Sequence, residues 1–349
     1  MFQPKYNVTP KILNHVGSIE ASKAIVESAP LVPAYEAKFR EEAIIRTVHH
    51  GTHIEGNPLE AKEVEKVLAG QEVLARDRDI QEILNYREVL KYVEAKKEEP
   101  VTERILLEIH RLTTKKILPT EQCSQYRKVQ VRVTNSKTGE TSYLPPAPSE
   151  IKSMVRDFLF WLNQVSTEEI HPIIKAAVTH YILVAIHPFT DGNGRVARAV
   201  ATLVLFKEGY DIKRFFSLEE YFDRDAGSYY TTLQKTSNQS KVVDRRDLTS
   251  WIEYFTQGLS VELARIREKV QHLSVDLKLK SKMGQVPLNE RQLKLVEYMQ
   301  EYGQVSNKEW RSLLPMISDD TILRDLKYLM KKRIIKKRGS TKSAYYVLK

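Results

Sequence analysis

Between Ala176 and Thr190 the chain carries no Asp, Glu, Lys or Arg. This stretch overlaps an apolar run, Pro172 to Ile186, and a helix that is apolar all round must be buried by other elements. It is too short for a bilayer span, which needs about 20 apolar residues, and it contains His180 and His187. Pro188 follows, then a polar loop with two glycines, then a second helical run from about Arg195 to Lys207. A buried helix leading straight into polar glycine-bearing residues is the constraint any fold of this chain must satisfy.

The rest of the body reads as mostly helical, which predicts a mainly α fold. Pro33 to Val48 is rich in Ala, Glu, Ile and Arg with no internal breaker, and helical spacing of apolar positions marks Leu59 to Ala69 and Asp79 to Lys97. Thr102 is placed to cap a helix containing Ile105, Leu106, Ile109 and Leu112. The period changes to two over Tyr126 to Val133, as in a half-buried strand. Asn135 to Gly139 is a turn cluster and Thr141 to Leu144 a return strand, which together predict a β-hairpin. Two consecutive prolines, Pro145 and Pro146, make a stiff exit. Ser149 is then the expected cap of a helix through Trp161. Leu248 to Leu279 reads as one long helix, and Lys280 to Pro287, with Gly284 and Pro287, as a linker.

Charge sharpens the division. The chain of 349 residues has 55 Lys+Arg and 45 Asp+Glu, a net +10. Residues 285–349 hold 14 Lys+Arg and 7 Asp+Glu, so +7 of the +10 sits in the last fifth. The expected domains are therefore 1–100, an N-terminal helical region; 101–279, a helical core; 280–287, the linker; and 288–349, a basic C-terminal module. The lone Cys123 excludes an internal disulfide scaffold. With no apolar signal core after Met1 and no membrane span, the expected location is the cytoplasm.

The loop, His187-Pro-Phe-Thr-Asp-Gly-Asn-Gly-Arg-Val-Ala-Arg198, gathers the parts for attack on a nucleotide phosphate. A histidine with a near-neutral pKa can take a proton from a hydroxyl. Asp191 is a hard oxygen ligand suited to Mg²⁺. Gly192 and Gly194 let backbone N–H groups approach an anion at a helix N-terminus. Asn193 offers an amide donor. Arg195 and Arg198, three apart on the following helix, face one side. A lone Asp-Gly-Asn-Gly would be an ordinary turn; twelve such residues in one run are equipment for phosphate chemistry, where positioning and charge dominate.

This run resembles the Fic family signature, His-Pro-Phe-x-Asp-Gly-Asn-Gly-Arg-x-x-Arg, at every fixed position. His171-Pro172 with His180-Tyr181, the hairpin ending Tyr143-Leu-Pro-Pro-Ala-Pro148, and Ser228 to Leu233 extend the likeness over roughly residues 30–260. The resemblance implies a Fic helical bundle with a β-hairpin flap, and transfer of AMP from ATP to a Ser, Thr or Tyr hydroxyl of a protein, itself included. It implies His187 as general base, Phe189 packing below the loop, and Asp191 holding Mg²⁺. It implies Gly192, Asn193 and Gly194 on phosphate oxygens, and Arg195 and Arg198 on the outer phosphates. Tyr229 and Tyr230 would border the adenine, and Val129, Val131 and Val133 of the flap would dock the target protein. A homodimer is also implied.

Gly51-Thr-His-Ile-Glu-Gly-Asn57 resembles the inhibitory helix of many Fic proteins, [Ser/Thr]-x-x-x-Glu-[Gly/Asn]. Glu55 would pair with Arg198 and misplace ATP; the same glutamate can serve removal of AMP. One position departs: Gly51 stands where the motif has Ser or Thr, and the hydroxyl sits at Thr52, which predicts a weaker brake. His49, His50 and His53 read as surface or packing residues, since no further zinc ligand accompanies them.

In residues 288–349, Leu288 to Met299, Asn307 to Leu314 after Ser306, and Asp319 to Lys332 after Ser318 read as helices. With a hairpin of Ile334-Ile335 and Ala344 to Leu348, they resemble a winged helix-turn-helix. Thr321, Arg324, Lys327 and Tyr328 would face a DNA groove, with Lys336, Lys337, Arg338 and Lys342 against phosphates. Asp319, Asp320 and Asp325 on the same helix would repel phosphate, so DNA and protein both stay open as partners. Three functions compete: a self-restrained adenylyltransferase, a DNA-binding regulator with a nucleotide-sensing Fic core, and a Fic enzyme that removes AMP or uses another nucleotide.

Overall fold

A computed structural model describes residues 2–29, 31, 33–134, 141–165, 169–273, 288–339 and 344–349. It divides into two compact units, one of Met1–Ala21 with Glu41–Ala264, the other of Ser22–Arg40 with Arg265–Lys349. The expected linker 280–287 and turn Asn135–Gly139 lie outside the described residues, as do Lys342 and residues 274–279 of the expected long helix.

The first unit is helical. Its elements are drawn from α1 (Pro10–Ser28), α2 (Pro33–His53), α3 (Ala61–Leu68), α4 (Asp77–Ala95), α5 (Glu103–Thr114), α6 (Pro148–Gln164), α7 (Pro172–Ile186), α8 (Asn193–Lys207), α9 (Leu218–Arg224), α10 (Ala226–Ser237) and α11 (Thr249–Leu273). α7 is the buried centre: fourteen of its fifteen residues are buried, all but Val184. α8 and α6 pack on it, and α4 and α5 cover α8. The residues expected on either side of position 100 therefore share one unit. Local chemistry sets the helix starts. Thr102 Oγ1 accepts from Ile105 N at 3.3 Å, as its position suggested. Ser217 Oγ accepts from Glu220 N and Asp225 Oδ1 from Ser228 N, starting α9 and α10.

Two expectations are corrected here. α6 starts at Pro148, not after Ser149. Proline's missing N–H costs nothing at the first helical position, and the Ala147 N–H is satisfied by Glu150 Oε2 at 2.9 Å. The long strand expected over Tyr126 to Val133 is reduced to β1 (Val133–Thr134), paired antiparallel with β2 (Thr141–Tyr143). Upstream of Val133 the backbone is hitched elsewhere: Arg127 N donates to Pro188 O at 2.9 Å. Beyond β2, Pro145 and Pro146 have no N–H to offer a ladder.

In the second unit α12 (Glu290–Tyr302), β3 (Val305–Ser306), α13 (Asn307–Leu313), α14 (Asp319–Lys331), β4 (Ile335–Arg338) and β5 (Tyr345–Leu348) follow in order. The sheet order is β3-β5-β4, all antiparallel. Leu295, Met299, Trp310, Leu326, Ile335 and Tyr346 are part of a buried core that also takes in Tyr35. The short strand β3 ends at Ser306, the residue expected to cap the next helix. No helix among the described residues is long and apolar enough to cross a membrane.

Candidate active site

α7 ends at His187, whose φ of 50° and ψ of 59° are left-handed. That conformation is strained for any residue with a Cβ and persists only where surroundings enforce it. His187 N donates to Leu183 O at 3.1 Å, and the His187 carbonyl accepts from Arg127 Nε at 2.8 Å. The ring is fixed as well. Nδ1 lies 3.3 Å from Val184 O. A carbonyl only accepts, so Nδ1 carries the proton and Nε2 keeps its lone pair. Burial disfavours the imidazolium and pulls the pKa down to about 4, with the Arg127 cation acting in the same direction. The residue is a neutral base at physiological pH.

The loop after it is closed by its own side chains. Asn193 Oδ1 accepts from Phe189 N at 2.9 Å, and Asn193 Nδ2 donates to Phe189 O at 2.8 Å. The expected amide donor for phosphate is thus turned inward, holding the loop. Phe189 is fully buried and stacks on the His110 ring, centroids 3.8 Å apart and planes 3° from parallel. His110 Nδ1 accepts from Ser124 N at 3.1 Å, so its Nε2–H donates to Asp191 O at 3.2 Å. Its pKa is lowered to about 4 by burial, which keeps this tautomer neutral. Sequence reasoning missed His110 and Ser124. Their only signal was a histidine at a core position of α5, beside Leu106 and Ile109.

Gly192, with φ of 82°, opens α8. Its N–H donates to Asp191 Oδ1 at 2.6 Å, and Asp191 Oδ2 lies 3.4 Å from the Arg78 guanidinium. The Asp191 side chain is 37% exposed. Among the described residues no cluster of three or more His, Cys, Asp or Glu could hold a metal. One accessible carboxylate suits Mg²⁺ nonetheless, because that ion is commonly held by one or two carboxylates plus substrate phosphates. His49, His50 and His53 do not form a metal site: His50 and His53 both bond Asp223 through Nδ1, at 2.7 and 2.8 Å.

Arg195 and Arg198 are 3% and 2% exposed. Arg195 reaches Asp191 at 3.4 Å and Glu82 at 3.6 Å. Arg198 Nη2 donates to Glu55 Oε1 at 2.8 Å and to Gly51 O at 2.9 Å. Nε and Nη1 of both arginines are buried without a hydrogen-bond partner. Buried unused donors are costly, and an ordered water or an anion would satisfy them.

Glu55 sits in the turn that ends α2, where Gly56 takes φ of 95°. Its carboxylate lies over Gly194, where a Cβ would collide with it. Thr52 Oγ1 donates to Val48 O and His49 O, within its own helix, so the displaced hydroxyl does not substitute for the one missing at position 51. Gly51 is instead filled by a neighbour: a Cβ there would overlap the Tyr86 ring, which is fully buried with its hydroxyl on Glu219 at 3.0 Å. Tyr86 and Glu219 had no signature in the sequence.

The two tyrosines expected at the adenine separate. Tyr229 is a core residue, 2% exposed, stacked on Phe222 at 4.9 Å with its hydroxyl 3.2 Å from His180 Nε2. Helical side chains one residue apart point to different faces, so Tyr230 stays half exposed and donates to Ile54 O at 3.0 Å, beside Glu55. Val129 is exposed, and Val131 and Val133 are half-buried. Tyr143 ties β2 to the end of α7 through a 2.6 Å bond to Ala185 O.

Residues 100–205 match the model of the Fic/DOC family. The protein adenylyltransferase Fic of Nematostella vectensis is 34% identical over 194 residues, 52% of this chain and 43% of that one. That of Culex quinquefasciatus is 29% identical over 212 residues, 58% of this chain and 41% of that one. The chain thus spans less than half the length of these curated relatives. A Fic family protein from Desulfovibrio desulfuricans, 23% identical, superposes with a TM-score of 0.70 over 100% of this chain and 98% of that one. A Fic domain containing signaling protein from Bacteroides thetaiotaomicron, 22% identical, gives 0.63 over 76% and 100%. The fold is that of Fic proteins.

Proposed function

We propose that this chain is a protein adenylyltransferase, moving AMP from ATP to a Ser, Thr or Tyr hydroxyl of a protein, restrained by Glu55. One observation carries the reading: two buried arginines with unused donors stand on the same loop-and-helix as a neutral histidine whose Nε2 is free. His187 Nε2 takes the proton of the target hydroxyl as its oxygen bonds to the α-phosphorus. The bond from that phosphorus to the β-bridging oxygen breaks, and pyrophosphate leaves. Arg195 and Arg198 hold the outer phosphates, and the Gly194 amide at the N-terminus of α8 serves the inner ones, since the Gly192 N–H is already bonded to Asp191. Asn193, Phe189 and His110 keep the loop in shape. Asp191 is the residue that would hold Mg²⁺, whose contribution when bound is to neutralise phosphate charge. The curated relatives named protein adenylyltransferase Fic support this reading.

Glu55 opposes it. A carboxylate on Arg198 takes the donor a terminal phosphate requires, and a charge-assisted bond of this kind is worth about 1.5–3 kcal/mol. Purified protein incubated with Mg²⁺ and α-labelled ATP should therefore label itself or added lysate protein about tenfold to a hundredfold faster as Glu55→Gly. Equal labelling by both proteins removes the brake; no label from either removes AMP transfer.

Residues 288–349 form a winged helix-turn-helix in this proposal. Asp325, expected to repel phosphate, is turned into the core, bonded to Arg291 at 2.9 Å and Gln292 at 2.8 Å. Asp319 is paired with Arg311. Arg324, Lys327, Lys336, Lys337 and Arg338 are exposed and Thr321 is half-buried. Two of the three acidic residues are thus neutralised, which favours DNA as the partner of this unit.

A further inference from the structure

We propose that Arg127 is a positioning residue that locks the base of the flap to the backbone of His187, so that docking of a target strand and placement of the general base are one event. The inference rests on reading His187 as the base. Arg127 is 3% exposed. Its Nε donates to His187 O at 2.8 Å, Nη1 to Val129 O at 3.1 Å and Nη2 to Pro146 O at 2.6 Å. Its own N–H donates to Pro188 O at 2.9 Å. Val129 precedes β1 and Pro146 follows β2, so one guanidinium grips both ends of the hairpin and the residue that must hold a left-handed conformation.

The acceptors are the unusual part. All four are backbone carbonyls, and none is a carboxylate. A buried cation without a paired anion is an expensive way to add stability, and an apolar side chain of similar volume is commonly as good or better. What an arginine alone supplies is a rigid planar fork with donors at fixed angles. Three carbonyls at the corners of that fork are held at set positions relative to one another. Peptides that add to a sheet edge bond its backbone, and here that edge leads through Val129 and Pro146 to the His187 carbonyl. Lysine, with one nitrogen, cannot bond all three corners at once.

The experiment uses the full chain and two readouts. In Arg127→Lys, amide hydrogen exchange should rise together in residues 128–134 and 141–147 and in 186–192. Arg132→Lys, exposed on the same segment, should change neither. In the Glu55→Gly background, Arg127→Lys should lower kcat for label transfer by about tenfold or more, with ATP affinity unchanged, since misplacement by about 1 Å can cost a hundredfold. Faster exchange confined to the flap, or an unchanged kcat beside unchanged exchange at 186–192, overturns the proposal. If Arg127→Lys does not fold, Arg127→Gln, which keeps two donors on a shorter stem, is read the same way. If Glu55→Gly transfers no label, the adenylyltransferase reading fails, and the exchange pattern still decides whether Arg127 links the two segments.

Discussion

The loop from His187 to Arg198 and the exposed basic face of α14 and β4 both concentrate groups suited to phosphate, but in opposite ways. In the loop the candidate catalytic and phosphate-binding side chains are buried or half-buried, and most are angled by a neighbour: His187 by Val184, Asn193 by Phe189, Arg198 by Glu55 and Gly51, while Thr190 is exposed. Donors left over on Arg195 and Arg198 are sealed from water. On α14 and β4 the cations are exposed and solvated. Solvated charge costs nothing to keep and so says little about purpose. Desolvated, unused donors cost stability, so a partner for them has more to gain. The lesson is to weigh charges by burial rather than by number.

Substitutions can break that contrast, and the loop should give the larger effects. His187→Ala should cost about 10²–10⁴ in kcat, the usual weight of a general base, measured as label transfer in the Glu55→Gly background; a loss under about threefold would mean the base lies elsewhere. Next comes pH. The base works neutral and its pKa is depressed to about 4. Transfer should therefore be independent of pH through the neutral range and fall only as pH drops toward that value, about tenfold per unit below it. An acid limb near 6.5 would show a solvated histidine and undo the comparison.

Gly51→Ser restores the residue the inhibitory motif calls for, yet should weaken the protein. Its Cβ overlaps the Tyr86 ring, and overpacking of a buried site costs about 1–3 kcal/mol. A lower melting temperature without stronger inhibition is expected; tighter restraint at unchanged stability would show that Tyr86 yields. The smallest effect belongs to the basic face. Lys336→Ala with Lys337→Ala should reduce the salt slope of DNA affinity by about 2 and leave label transfer unaltered. A sequence-selective loss would give those lysines the fixed geometry now reserved for the loop.

Much of this was legible beforehand where the signal is local. The apolar run marks α7 to the residue, Pro172 to Ile186. Thr102 stood out as a cap because capping is decided within four residues. The dense run from His187 to Arg198 announced a site because each residue type has a narrow chemical use. α1 has no boundary of its own within the expected helical region 1–100, and α9, only seven residues long, is too short to show an apolar period. The strand expected over Tyr126 to Val133 is longer than β1 because alternation says a segment is half-buried, not what it bonds. Tyr229 and Tyr230 looked alike in sequence and part company only through helix phase.

What the sequence determined by itself is the set of parts: a buried helix, a base, a metal-suited carboxylate, two arginines, an acidic residue at a helix end, a basic C-terminal module. These follow from residue type and short spacing. Tertiary structure alone decided which parts meet. Glu55 is 143 residues from Arg198, His110 is 79 from Phe189, and Arg127 is 60 from His187. Contacts across such separations depend on how helices pack, and packing is settled by the whole buried surface at once rather than by any short stretch of chain.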